Sequence, residues 1–477
     1  MVEKNNTIVG SCGVNHLFLT VFLFHFSSFM VVSAIIDVSM AAVCPGKDEC
    51  SLAIYLTGVQ QAIIGLGSLV MMPLIGNLSD HYGRKLLLTF PMMIAIFPAV
   101  ILAYSRDKEF FYAYYVLKTL TSMVCEGAVL CLAHAYLADN VPDHRRASMF
   151  GILSGISSCS FVTGNLLTRF LPSVGSVFQV SAAVAMVSVV YMRIFLPESN
   201  MEANVIAISS KEETKDECLL EKGRINSHRP FRTTLSLHDS ISLLRNSTKF
   251  SQAAIVAFFS MLGELGLLSS AMYYLKAEFH FDKDQFAELL IITGIAGIIS
   301  QMILMPFLSR LINEEKLLAI GLASSCIYIF LIGIAWTSWV HTFAQLANSN
   351  ITSYRPLQYV SVVYLASALQ ILAVFVTPSL RTIVSKQAGP TEQGKAQGCI
   401  TGLNSLAGII SPLVFSPLTA LFLSDHAPFH FPGFSIMCAT LTVMIAFIQS
   451  ILMKAGPAPS HLPVSDSKID EYDSVEP

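Results

Sequence analysis

The sequence has few charged side chains. Asp, Glu, Lys and Arg make up 13% of its 477 residues, whereas soluble domains contain roughly 25%. Hydrophobic residues account for 53% of the chain and form long uninterrupted runs. This balance excludes a soluble globular protein and predicts an integral, multi-pass membrane protein surrounded by the lipid bilayer. The net charge of −3 gives no indication of a nucleic-acid partner.

Motifs of several enzyme classes are also missing. The sequence has no Gly-x-x-x-x-Gly-Lys-Ser/Thr loop to hold the phosphates of ATP. It has no paired metal ligands and no nucleophile elbow. We therefore expect no metal ion, no cofactor and no enzymatic activity. A membrane enzyme is the least favoured hypothesis.

Twelve apolar runs are long enough to cross a bilayer, which takes about 20 residues in a helix. They are continuous rather than alternating, so they favour helices over barrel strands. The first run is too long for a signal peptide and lacks a clear cleavage site, so we expect it to be retained. The predicted fold is an all-α membrane protein with spans at 16–38, 52–75, 86–105, 110–138, 147–171, 176–196, 251–273, 286–308, 316–336, 357–380, 396–423 and 433–453.

The spans form two related halves of six helices, 16–196 and 251–453. Gly151-Ile-Leu-Ser-Gly155 opens span 5, and Gly398-Cys-Ile-Thr-Gly402 opens span 11, six spans later. Met72-Pro73 in span 2 recurs as Met305-Pro306 in span 8. Such repeats predict two pseudo-symmetric halves. A short N-terminus at 1–15 precedes the first half, and a polar middle loop at 197–250 connects the halves. A disordered acidic tail at 454–477 follows the second half.

Lys and Arg residues are more frequent in one set of loops than in the other, which predicts that both termini and the middle loop are cytosolic. The plasma membrane, the vacuole and other endomembranes all fit. The richer set includes Arg84, Lys85, Arg145, Arg146, Arg310, Lys316, Arg381, Lys386 and Lys395.

The first loop on the opposite side contains Cys44 and Cys50. Their position allows a local disulfide bond, and two free cysteines are the alternative. Asn350, in Asn-Ile-Thr, is a candidate for glycosylation on the same side.

A compact charged segment between spans 2 and 3 is the most informative motif. It reads Gly76-Asn-Leu-Ser-Asp80-His-Tyr-Gly83-Arg84-Lys85. The spacing Gly-x-x-x-Asp-x-x-Gly-Arg-Lys resembles the loop between helices 2 and 3 of the major facilitator superfamily. A plain topological anchor with positive-inside charge is the alternative interpretation.

Three more segments narrow the resemblance: Ala135-Tyr-Leu-Ala-Asp139, Glu264-Leu-Gly266 and Gln397-Gly-Cys-Ile-Thr-Gly402. Together they resemble the hippocampus abundant transcript-like proteins, which are allied to tetracycline–proton antiporters and proton-coupled folate carriers. The antiporters have Gly-Pro-x-x-Gly-Gly in span 5, but the sequence here is Gly164-Asn-Leu-Leu-Thr-Arg169. The resemblance to the antiporters therefore does not extend to a prediction of drug efflux for this protein.

The resemblance implies a monomeric secondary transporter for a small organic solute, with protons as a second possible substrate. Spans 1, 4, 7 and 10 would line a cavity, the two halves would rock about it, and the Gly76–Lys85 loop would be a cytosolic latch in which Asp80 pairs with Arg84 or caps a helix. The alternative from a different class is a non-transporting receptor or scaffold on the same fold.

Four ionisable residues lie within the expected cavity spans: His25, Lys118, Glu126 and Glu264. Charged groups in a bilayer cost at least about 2.5–3.5 kcal/mol on insertion scales, so they are candidates for function. Lys118, Ser122 and Glu126 recur every four residues and form a polar stripe. Lys118 could instead snorkel to the surface.

Glu264 is the first candidate for proton coupling, and it also matches a glutamate of the resembling family. Its structural alternative is an ion pair between helices, with His25 or Lys118 as partner. His25 lies about 14 Å into span 1 at 1.5 Å per residue. It could titrate near neutral pH or be a hydrogen-bonded packing residue.

Overall fold

The computed structural model describes residues 2–43, 51–199, 244–245, 247–279, 283–335, 366–389, 391–424 and 427–453. Within these ranges the chain is helical and contains no strand. Twelve helices are long and apolar enough to cross a membrane. Cys44, Cys50, Asn350, most of the middle loop and the tail lie outside the described residues, so their predicted roles stay predictions.

The first six helices are numbered α1 to α6 and the last six α7 to α12. The first half consists of α1 (Val2–Val43), α2 (Ser51–Tyr82), α3 (Arg84–Tyr104), α4 (Lys108–Asn140), α5 (Asp143–Thr168) and α6 (Val174–Phe195). The second half consists of α7 (Thr248–Phe279), α8 (Lys283–Ile299, Ser300–Leu304 and Met305–Leu308), α9 (Glu314–Ile334), α10 (Ala366–Gln387), α11 (Gln393–Phe422) and α12 (Phe434–Leu452).

Apolar side chains cover both the interior and much of the outer surface. Phe90, Phe97 and Ile303 are each more than half exposed, which would be costly in water and is favourable against lipid. Separate buried clusters fill the two halves, between residues 14 and 196 in the first and between 250 and 453 in the second. The fold therefore consists of two packed six-helix bundles.

Three helices depart from the continuous spans and the bounds that the sequence predicted. α4 is interrupted at Glu126 and Gly127, because Gly127 has a left-handed backbone with φ of 83°. In α8 a π-helical turn, Ser300–Leu304, precedes Pro306, a residue that cannot donate a backbone hydrogen bond. α10 runs to Gln387 rather than ending at residue 380, so Arg381 is helical.

The repeated motifs meet each other across the boundary between the halves. Gly398 and Gly402 of α11 lie against Met72 and Pro73 of α2. In the same way, Gly151 of α5 lies against Met305 of α8 and Gly155 lies against Met302. Absence of a side chain lets the paired helices approach closely, which is how helices associate in lipid. The glycine pairs thus join the halves at two symmetry-related seams.

Candidate functional site: a charge network at the boundary of the halves and a polar cavity in the second half

Most of the segment from Gly76 to Lys85 is helical rather than a loop, since α2 continues to Tyr82. Gly83 alone separates α2 from α3, with φ of 90°, a conformation that glycine adopts without strain. Gly76 is held against the backbone carbonyl of Gly394 in α11. The backbone N–H of Lys85 donates to Glu198 at 2.9 Å, which fixes the start of α3.

Arg84 is at the centre of a buried charge network and is only 1% exposed. Its guanidinium lies 2.5 Å from an Asp80 oxygen and 2.8 Å from an Asp139 oxygen. A third hydrogen bond goes from Nη1 to Ser79 Oγ at 2.5 Å. Since the planar guanidinium has five N–H donors, a single arginine can hold two carboxylates in fixed positions. The network joins the ends of α2, α3 and α4.

Asp80 also reaches the second half of the protein. Its two carboxylate oxygens accept hydrogen bonds from the backbone N–H groups of Gly394 and Lys395, each at 2.9 Å. These are among the first N–H groups of α11, which lack partners within the helix. Glu392, the residue at the N-cap position, does not cap α11 with its own side chain. Asp80 therefore caps α11 from across the boundary, where the helix dipole also favours a negative charge.

A polar cavity lies in the second half, between α7, α10 and α11. The cavity is small, about 20 Å³, which is close to the space that one water molecule needs. Glu264 of α7 lines the cavity and is exposed to it. The other lining residues are Ala257, Ser260, Met261, Val376, Thr377, Leu380, Arg381, Ile400 and Asn404.

Arg381, which also lines this cavity, was predicted to lie in a loop because of its charge. It is instead helical and only 7% exposed. Its Nη1 donates to Gln397 Oε1 at 2.9 Å, and its Nη2 donates to Thr401 Oγ1 at 3.3 Å. Both acceptors are neutral. Among the described residues, no carboxylate forms an ion pair with Arg381.

At the interruption of α4, the first half contacts a hydrogen-bond partner of Arg381. Gly127 lies against the methyl group of Thr401, the residue that accepts from Arg381. Behind the break, Gly67 of α2 packs on the side chain of Met123. A new helical segment, Ala128–Asn140, begins at this point. Its N-terminal end therefore faces the Arg381–Thr401 pair.

The predicted polar stripe of α4 is divided by this break. Ser122 is buried and Lys118 is half-buried, while Glu126 is exposed at the break itself. Glu126 forms no ion pair with a residue that the structure describes, nor does Lys118. Their roles in a cavity stay predictions.

Gly127→Ala should destabilise the protein by about 1–3 kcal/mol, because alanine is strained at positive φ. Its methyl group would also lie 3.0 Å from Thr401 Cγ2. The measurement is the apparent melting temperature of the purified protein in detergent. Gly58→Ala is the matched control, since a methyl group there meets nothing within 4 Å. Equal melting temperatures for the two variants would contradict the strained break.

His25 lies among aromatic side chains of α1. Its Nδ1 is 3.0 Å from the carbonyl oxygen of Val21, and its ring contacts Phe24 and Phe29 at centroid distances of 5.7 and 6.0 Å. The structure brings Glu264 together with Arg381 around one cavity, and forms no ion pair between Glu264 and His25 or Lys118 among the described residues.

Two amide side chains form hydrogen bonds between neighbouring helices. Gln60 of α2 donates to Thr119 of α4 at 3.0 Å, and Gln301 of α8 accepts from Ser158 of α5 at 3.1 Å. Asn404 differs from them, because its Oδ1 is buried without a hydrogen-bond partner while the residue lines the cavity.

Comparison with known proteins agrees with this architecture. A sequence model described as Major Facilitator Superfamily matches residues 17–412 and 253–468. Hippocampus abundant transcript 1 protein from human is 24% identical over 421 residues, which cover 87% of this chain and 74% of that protein. The class E tetracycline resistance protein from Escherichia coli is 23% identical over 365 residues, covering 75% of this chain and 77% of that one.

A solved structure has a similar fold. The crystal structure of the human organic anion transporter MFSD10 superposes with a TM-score of 0.67 at 17% identity. The match covers 92% of this chain and 99% of the other. At this identity the likeness concerns the fold alone.

Proposed function

Because this chain belongs to the Major Facilitator Superfamily and is an integral membrane transporter, we propose that it moves a small organic solute by alternating access. A proton is the coupling ion in this proposal. The observation that supports it best is a polar cavity next to a boundary between halves that is closed on one side. Glu264 and Arg381 line that cavity, and Asp80 joins α2 to α11 at the boundary.

The latch lies on the side that the Lys and Arg distribution assigns to the cytosol. With Asp80 bound to α11, and Gly76 and Gly398 packed against the opposing backbones, a solute in the cavity has no way out between α2 and α11. Opening toward this side requires the Asp80–Gly394 and Asp80–Lys395 hydrogen bonds to break. In our proposal, remaking them stabilises the state described here.

Glu264 is the proposed proton site. A carboxyl group on a cavity wall can exchange protons with whichever side the cavity faces, and its position within a membrane span makes the charge costly. A proton moving down 100 mV supplies about 2.3 kcal/mol, which is enough to drive a useful solute gradient.

To test this function, the protein would be reconstituted in liposomes that contain a pH-sensitive dye. Pooled solutes would then be screened under an imposed proton gradient. We expect solute-dependent proton movement, and we expect Glu264→Gln to abolish it. Glu109→Gln is the control, because Glu109 is an exposed carboxylate in the first turn of α4.

Solute uptake without proton movement would make the protein a uniporter and remove the coupling role of Glu264. If folded wild-type protein moved neither protons nor any solute, the transport proposal would fail. The receptor or scaffold alternative would then gain weight.

A further inference from the structure

The charge on Arg381 has no resident counter-ion in the described part of the chain. The residue is only 7% exposed, and its two hydrogen-bond partners, Gln397 and Thr401, are neutral. The buried carboxylates of Asp80 and Asp139 are bound to Arg84 instead. A buried cation without a paired anion is costly, so its position in a transporter cavity calls for a ligand of the opposite charge.

The orientation of the guanidinium is fixed. Gln397, Thr401 and Asn404 follow one another at four- and three-residue intervals, so they lie on one face of α11. The first two each occupy one N–H of Arg381, which leaves further donors of its five for a ligand. Asn404 lines the same cavity with an unpartnered amide oxygen. The side-chain nitrogen of this amide would be a neutral donor beside the cation.

The break in α4 adds a second positive feature. The Ala128–Asn140 segment begins against Thr401, and the first four N–H groups of a helix lack partners within it. The positive end of this segment's dipole therefore lies against Thr401, the residue that accepts from the guanidinium of Arg381. A helix N-terminus and an arginine together are a common recognition device for oxyanions.

We propose that the transported solute is an organic anion and that its carboxylate, sulfonate or phosphate group binds to Arg381, with the N-terminal end of the Ala128–Asn140 segment beside it. This inference rests on the proposed transport function. Glu264 lies on another wall of the same cavity and forms no ion pair with Arg381. Arg381 is therefore not neutralised by Glu264, and its charge is left for the solute.

The test is uptake into proteoliposomes of labelled solutes pooled by charge. Three anion pools contain monocarboxylates, aryl sulfonates or phosphate monoesters, and two further pools contain amines and uncharged amides of similar size. We expect uptake from an anion pool, and the pool that responds identifies the oxyanion. Arg381→Gln should lower this uptake by about 10- to 100-fold, the effect of losing a charged hydrogen-bond partner.

Two further variants separate binding from folding. Arg381→Lys retains the charge but loses the fork of the guanidinium, so it should retain more uptake than Arg381→Gln. Lys386→Gln removes a charge from the same helix outside the cavity, where Lys386 pairs with Glu314 at 2.7 Å, and should transport as the wild type does. Each variant would first be shown to be monodisperse and folded.

Uptake restricted to the amines or amides would overturn the inference while leaving the transport function intact. So would uptake of anions that Arg381→Gln does not reduce. No uptake of any pool by folded protein would instead refute the transport function itself, and the anion site with it.

Discussion

Arg84→Leu will lower the free energy of unfolding by about 3–5 kcal/mol, the cost of removing one partner from a buried ion network. Asp80 and Asp139 would be left as two carboxylates facing each other, with side chains only 4% and 3% exposed. The apparent melting temperature in detergent measures the effect. Arg84→Lys should be intermediate, since an ammonium group cannot hold both carboxylates in the same plane.

A matched surface pair provides the control. Lys386 and Glu314 are 2.7 Å apart, a similar distance, but their side chains are 32% and 18% exposed. Partly exposed pairs contribute about 0–1 kcal/mol. Lys386→Leu should therefore change the melting temperature little. Adding Asp139→Asn to Arg84→Leu should recover part of the lost stability. If Arg84→Leu and Lys386→Leu melted alike, the network would not be the structural centre of the latch.

The sequence was sufficient for the number of helices and for the repeated motifs. Long apolar runs specify spans because every backbone group in lipid must be satisfied within a helix. It was less informative about where the helices end. α2 was predicted to stop at residue 75 but continues to Tyr82, where Asp80 is bound by α11 and Ser79 by Arg84.

The contacts and conformations of the site that the sequence could not specify share a physical cause. Asp80 is 314 residues from Gly394 along the chain, and no local pattern specifies that contact. Gly127 is compatible with a straight helix, so its left-handed conformation depends on the packing of α2 and α11 around it. Arg381 was assigned to a loop because a charge is costly in a span. Only the positions of Gln397 and Thr401 in the fold show which groups accept hydrogen bonds from it. The signal in the sequence was its place after Pro378, in a stretch with no other charge.

Gly398→Ala should weaken closure on the latch side by about 1–3 kcal/mol, the usual cost of overpacking. A methyl group there would lie 2.5 Å from the backbone carbonyl oxygen of Met72, so α2 and α11 would have to separate. Such a cost changes the ratio of the two access states by roughly 5- to 150-fold. We therefore expect the state open on the latch side to accumulate and transport to slow.

Spin labels at positions 145 and 310 would measure this shift, in a protein from which accessible cysteines have been removed. Both positions are exposed, at the latch-side ends of α5 and α8. The label distance should lengthen in Gly398→Ala. Gly408→Ala adds the same methyl group to the same helix, where the nearest atom of Leu265 is 3.7 Å away, and should leave the distance unchanged. An unaltered distance in Gly398→Ala, together with normal transport, would mean that the α2–α11 seam does not hold the two halves in the closed state.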